Sequence, residues 1–167
     1  RFNQINSIDL SNNLSIENLY CESNGLSVLD VSNMIDLAYI DCQNNNIQSL
    51  NLSNSPALTH LKANNNQLTT LDLSNNIILQ NVLLHNNQLT YIDFRNGNNI
   101  IINNPAHFYV INNPNLFCID VDDPLWSETN WTNIDSWTAF SSNCATAFGC
   151  TDSLAFNYDP IATLEDG

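Results

Sequence analysis

Apolar residues recur in two short bursts every 21 positions. Ile16-Glu17-Asn18-Leu19-Tyr20-Cys21, Leu37-Ala38-Tyr39-Ile40-Asp41-Cys42, Leu58-Thr59-His60-Leu61-Lys62-Ala63 and Leu79-Gln80-Asn81-Val82-Leu83-Leu84 each begin 21 residues after the last. An Asn follows three positions after each block: Asn24, Asn45, Asn66 and Asn87. An aliphatic residue comes two further on: Leu26, Ile47, Leu68 and Leu89. The second burst is an apolar–polar–apolar triplet. It reads Ile8-Asp9-Leu10, Leu29-Asp30-Val31, Leu50-Asn51-Leu52, Leu71-Asp72-Leu73 and Ile92-Asp93-Phe94, again at a spacing of 21. Alternation with a period of two sends the apolar pair to one side and the middle residue to the other. The pattern predicts two short parallel strands per coil, on opposite walls of a narrow solenoid. No segment sustains a helical period, so no helix is expected within the repeats.

One coil cannot bury its own apolar edge, so the coils are stable only when stacked. Inward aliphatics then meet their counterparts across strands about 4.8 Å apart. Asn24, Asn45, Asn66 and Asn87 fall at the tight corner after the first strand. An amide carries both donors and an acceptor, so it satisfies turn groups that no strand reaches. These four residues are expected to form a structural Asn ladder.

The block L-x-x-L-x-L/C-x-x-N-x-L is the leucine-rich-repeat signature. The chain resembles the 21-residue, two-faced leucine-rich repeats of surface and secreted proteins of the Bacteroidetes. Leu37 to Ala57 carries that resemblance most closely, with Cys42, Asn45, Leu50 and Leu52 in register; Asn51 replaces an Asp and Ser55 an Asn. The resemblance covers roughly residues 5 to 95. The tail from Gly149-Cys150-Thr151-Asp152 to Gly167 is similar to a Cys-bounded acidic motif of secreted Bacteroidetes proteins. In that motif a second Cys follows the last Asp-Gly-Ser, and here the chain stops just short of it. The resemblance implies a secreted or cell-surface protein.

Register slips after Phe94. Phe108-Tyr109-Val110, Asn113, Leu116, Ile119 and Val121 fit the pattern again, but 37 residues after Leu71 rather than 42. A bulge or a shortened coil is expected near 96–107. An open stack exposes strand edges and core, so it needs a cap. Residues 122–148 suit that role, with Trp126, Trp131, Trp137 and Phe140; Asp123 before Pro124 is a helix start. The expected organisation is a mainly β solenoid over 1–121, a Trp-rich cap over 122–148 and a truncated acidic tail over 149–167. The chain begins inside a repeat, shows no basic-then-apolar leader and reads as a piece of a longer protein.

Net charge is −14, with 17 acidic residues against three basic ones. Such a field repels phosphate backbones and anionic lipid, so nucleic acid is excluded as a partner. No apolar window is long enough for membrane insertion. Of the five cysteines, Cys118, Cys144 and Cys150 lie outside the regular repeats. A Cys118–Cys144 disulfide would bracket the cap, and Cys144–Cys150 is the competing pairing. Cys21 and Cys42 take an inward repeat position and read as small buried hydrophobes, with a bridge between adjacent coils as the alternative.

No phosphate loop, nucleophile elbow, H-E-x-x-H or C-x-x-C is present, so an enzyme is not expected. No motif calls for a cofactor. Calcium is the one ion that the oxygen-rich loops would suit, through Asp120, Asp122 and Asp123 or through Asp152, Asp159 and Asp166. Solubilising charge and turn formation account for the same residues.

The outward residues of the first sheet vary from coil to coil. They include Tyr20, Glu22, Tyr39, Asp41, His60, Lys62, Leu83 and His85, and this set is the expected binding face. The second face repeats Ser and Asp. The reading is a monomeric, non-enzymatic adhesion module that recognises a protein or carbohydrate ligand. A structural spacer is the alternative, and ice or crystal binding a remote one.

Overall fold

The computed structural model describes residues 3–149, 162 and 164–165. Cys150, Asp152, Asp159 and Asp166 lie outside the described residues. Strands are short and come in chain order as β1 (Asn18–Tyr20), β2 (Tyr39–Asp41), β3 (His60–Lys62), β4 (Thr70–Asp72), β5 (Asn81–Leu83), β6 (Tyr91–Phe94), β7 (Phe108–Tyr109), β8 (Cys118–Val121), β9 (Ala139–Ser141), β10 (Phe148–Gly149) and β11 (Leu164–Glu165). Two short helices, α1 (Pro124–Asn130) and α2 (Cys144–Ala147), follow β8 and β9.

The first sheet is five-stranded, in the order β1-β2-β3-β5-β7. Its strands are parallel and in register, Leu19 opposite Ile40, Ile40 opposite Leu61 and Leu61 opposite Val82. The second sheet, β4-β6-β8-β9, is also parallel. A two-stranded parallel pair, β10-β11, completes the set. This is a β-rich arrangement of short parallel strands with few helices. Columns of equivalent residues, such as Leu37–Leu58–Leu79 and Leu26–Ile47–Leu68–Leu89, are fully buried.

Two strands in every coil were expected, and the second strand forms only from β4 onward. Leu29–Val31 and Leu50–Leu52 are buried at their apolar positions but are not strands. The residues before each triplet differ. Thr69-Thr70 and Thr90-Tyr91 lead into β4 and β6, where branched and aromatic side chains favour the pleated surface. Gln48-Ser49 stands there in the repeat before β4; Ser27-Val28, one repeat earlier, has a branched residue of its own, so composition alone does not set where the second strand begins. Thr90 also donates from both its N–H and its hydroxyl to the Thr69 carbonyl, which ties β6 to β4.

The irregular repeat is longer, not shorter. Val82 pairs with Phe108, 26 residues on, and Ile92 with Ile119, 27 on. The extra residues form two 3-10 turns, Asn99–Ile101 and Pro105–His107. Gly97 enters the first with φ +78°, a conformation that glycine adopts without strain. Asn99 holds the turn by donating to the Phe94 carbonyl and accepting from the Asp122 N–H. The 21-residue step then returns, since Cys118 lies opposite Ala139. The second sheet therefore runs on into residues 122–148.

Inside that closing segment, Asp123 caps α1 by accepting the Trp126 N–H, and Pro124 takes the first helical position. Trp131 is fully buried. Its ring stacks on Phe108 at 4.0 Å between centroids and meets the edges of Phe94 and Trp126. Its indole N–H donates to the Ile102 carbonyl, 2.9 Å away. Trp126 is half-buried, whereas Trp137 is 49% exposed and takes no part in the core.

Cys118 and Cys144 form a disulfide across a sequence separation of 26. A loop of that length makes the bond worth about 2–4 kcal/mol through the unfolded state. Reductant is expected to lower the melting temperature of the wild-type chain and to leave that of a Cys118→Ser/Cys144→Ser variant unchanged. Equal melting curves for the wild type with and without reductant would contradict this.

Candidate functional site

The corner after each first-sheet strand explains the Asn pairs in the chain. Ser23, Asn44, Asn65, Asn86 and Asn112 all have φ between 55° and 60°. Asn visits this left-handed region more readily than other residues with a side chain. The residue after each, from Asn24 to Asn113, turns its amide toward the corner. Asn66 donates to the carbonyls of Ala63 in its own repeat and Cys42 in the preceding one, and its oxygen accepts the Ile47 N–H. Asn45 and Asn87 repeat the arrangement, and Asn113 does so across the long repeat. Asn24 donates to Cys21 and Glu22 and accepts from Ile5. The amides join neighbouring repeats and hold the strands above them in register.

Those strands carry the outward side chains. Register places Asn18, Tyr39, His60 and Asn81 in one row, and Tyr20, Asp41, Lys62, Leu83 and Tyr109 in the next. Tyr20 and Tyr39 lie 4.9 Å apart between ring centroids, and Tyr39 and His60 5.5 Å apart. An aromatic band thus crosses three strands, stepping between rows from Tyr20 to Tyr39 and staying in one row from Tyr39 to His60. Tyr20 is 59% exposed, and Tyr39 and His60 are half-buried. The Lys62 ammonium sits over the Tyr39 ring, 5.5 Å from its centre. A hydrogen bond with Tyr39 holds the lysine pKa up, and the nearby Asp41 adds to this. His85 packs edge-on against Tyr109 at 4.7 Å. Tyr109 joins the face because of the long repeat, which the 21-residue frame conceals; Asn113, three residues after Val110 as Asn87 is after Leu84, is the signal that restores the register.

Hydrogen bonds on this face run one way. Asn64 donates its amide to Gln43, and Gln43 donates its own to Asp41. Burial raises the Asp41 pKa, opposed by the Gln43 N–H it accepts and by Lys62. Asn64 Oδ1 is buried without a partner. Asn81 Oδ1 and His85 Nδ1 share that condition. A buried acceptor without a donor costs about 1–3 kcal/mol. His60 adds another acceptor. Thr59 spends its single hydroxyl proton on the Ala38 carbonyl, so His60 Nδ1 must donate to Thr59, which leaves Nε2 as the acceptor in the neutral ring.

Burial lowers the pKa of both His60 and His85. Above their ordinary pKa of about 6.5 the two imidazoles are neutral in the folded and unfolded chain alike. As pH falls below that value, the unfolded chain takes up protons first, and stability is lost until the folded pKa values are passed. A His60→Gln/His85→Gln variant is expected to lose less melting temperature between pH 7 and pH 5 than the wild type. Parallel profiles for the two proteins would argue against it.

The second face is uniform. Asp9, Asp30, Asn51, Asp72 and Asp93 each accept the backbone N–H two residues on. These bonds, with those from the Ser11 and Ser32 hydroxyls, pull Asp9 and Asp30 below the usual carboxylate range. At the C-terminal end Arg95 pairs with Asp93 and reaches Asp120. Asp120 is buried, and it accepts the Tyr91 hydroxyl and the Cys144 N–H. Its oxygens therefore face protein donors, while Asp122 is exposed and Asp123 caps α1. Among the described residues no three His, Cys, Asp or Glu side chains converge on a common point. Cys21 and Cys42 are free thiols in the core, and burial pushes Cys21 up to about 11.

No protein-family model matches the chain, and no curated protein matches it. Among solved structures it is similar to the functional domain of InlJ from Listeria monocytogenes, a domain that includes a cysteine ladder. Identity is 20%, the TM-score is 0.30, and the match covers 78% of this chain and 45% of that one. The chain thus spans less than half the length of that protein.

Proposed function

We propose that the repeats form a short solenoid serving as a binding module, with the first-sheet face as its contact surface for a protein or glycan. The observation that carries this reading is the contrast between the two faces. The second repeats one self-satisfied turn. The first gathers Tyr20, Tyr39, His60 and Lys62 into a partly exposed cluster whose side chains differ from strand to strand. Aromatic rings with polar tips suit recognition because one side chain supplies both apolar area and hydrogen bonding. The disulfide fits a secreted or cell-surface setting, where such bonds persist.

A Tyr20→Ala/Tyr39→Ala/His60→Ala variant is expected to keep its circular dichroism and to lose binding in a screen against surface proteins and a glycan array. Ligands captured equally by the wild type and this variant would place the contact surface elsewhere. The spacer reading predicts no ligand of micromolar affinity for either protein.

A further inference from the structure

We propose that Asn24 is a site of spontaneous covalent modification, at which the backbone nitrogen of Gly25 cyclises onto the Asn24 side chain and the amide becomes a carboxylate. The Gly25 nitrogen bonds to Asn24 Cγ, the Cγ–Nδ2 bond breaks, and Nδ2 leaves as ammonia with the proton that Gly25 gives up. Water then opens the succinimide ring at either carbonyl, giving Asp or isoaspartate. The balance is one amide and one water in, one carboxylic acid and one ammonia out. A side chain on the following residue crowds the attacking nitrogen, so glycine, which has no Cβ, permits the reaction best. Asn precedes Gly at two places in the chain, Asn24–Gly25 and Asn96–Gly97.

The fold treats the two places differently. At each rung of the Asn ladder, one residue of the preceding repeat holds both groups that would react. Leu26 gives its N–H to Asn45 Oδ1 and accepts the Asn46 N–H on its carbonyl. Ile47 does the same for Asn66 and Gln67, and Leu68 for Asn87 and Gln88. All three clamping residues are buried, and none of their rungs is followed by Gly. For Asn24 the clamp is Ile5, which accepts the Gly25 N–H at 3.0 Å and donates to Asn24 Oδ1 at 3.3 Å. Ile5 is 44% exposed, and residues 3–9 are exposed throughout. A segment with so few buried contacts opens at low cost, and the release of this one residue frees nucleophile and amide together. Asn24 is also half-buried, so water reaches it. Asn96 is buried and held from several sides: it donates to the Asn76 carbonyl and accepts from the Asn98 N–H and the Asn99 amide. Modification at Asn24 removes the donor that serves the Cys21 and Glu22 carbonyls, at the corner where Ser23 has φ 58°. The corner that follows β1 is thereby undone.

The test incubates the whole chain in mildly alkaline buffer and follows both Asn–Gly pairs by peptide mapping, which separates Asn, Asp and isoaspartate. A free peptide of residues 21–28 supplies the unclamped rate. Asn24 is expected to react more slowly than in that peptide and at least about tenfold faster than Asn96. Ile5→Pro lacks the N–H that Asn24 accepts, so it should raise the Asn24 rate toward that of the peptide and leave Asn96 unchanged. Gly25→Ala should nearly abolish the reaction at Asn24; its added methyl meets the end of the Asn6 side chain, which lies in the exposed segment and can move aside. Survival of Asn24 in the folded chain while the free peptide reacts to completion would overturn the proposal. Faster loss of Asn96 than of Asn24, or equal Asn24 rates in the wild type and Ile5→Pro, would do the same.

Discussion

Replacing Trp131 by Ala is expected to cost about 3–5 kcal/mol for the lost burial and the cavity together. The indole fills the space between Phe94, Phe108, Trp126 and Phe140, and all four rings lose a neighbour when it goes. Its N–H also satisfies the Ile102 carbonyl at the end of the long repeat. Truncation leaves that carbonyl buried, for a further penalty of about 1–3 kcal/mol. Trp131→Phe is an intermediate case, since it keeps one aromatic ring in the stack but removes the donor and the volume of the second ring. The expected order of loss is Trp131→Ala, then Trp131→Phe, then Trp137→Ala, whose ring is exposed and whose removal should change stability by less than about 0.5 kcal/mol. Urea unfolding of the three variants checks the order. A Trp131→Ala protein as stable as Trp137→Ala would show that the stacked rings do not close the core.

The second large effect is at Asn66, and its size depends on which atom is changed. Asn66→Ala removes the bonds donated to the Cys42, Ala63 and Asn64 carbonyls and the bond accepted from Ile47, two of which join repeats. Backbone groups of Cys42, Ala63 and Ile47 are then left without this partner in a buried corner, at a cost of about 3 kcal/mol in total. Asn66→Asp is nearly isosteric and should be worse. It turns an acceptor oxygen toward the Cys42 and Ala63 carbonyls, and a carboxylate there is buried among dipoles of its own sign. An apolar exchange of equal shape would not separate these cases. Repeats couple only to their neighbours, so the unfolding transition should also broaden as the two sides of Asn66 separate. Asn66→Asp within about 0.5 kcal/mol of the wild type would mean that the ladder is decorative.

The ladder and the core columns were legible because period-two alternation and a 21-residue spacing dictate which side chains share a wall. Any residue at the position of Leu61 or Asn66 inherits its environment from the copies before and after it. Outward residues of the first sheet were legible to the same extent, since an outward position needs only the strand phase. Their mutual geometry was not. The Tyr20–Tyr39–His60 band steps between rows from β1 to β2, so it depends on side-chain rotamers across strands, as does the seat of Lys62 over Tyr39.

By itself, then, the sequence determined the repeat, the inward and outward sets, the Asn corner and the chemical contrast between two faces. All of these follow from local periodicity and from what an amide or an aliphatic chain can satisfy. Tertiary structure decided where the second strand begins, because ladder hydrogen bonds form only where both neighbours suit the pleat. It decided that the irregular repeat is 26 residues long, because the added turns are stabilised by Asn99 bonds that reach from Phe94 to Asp122. It decided as well that Asp120 is an internal partner of Tyr91 and Arg95, since residues 29 and 25 positions away converge only when the repeats stack.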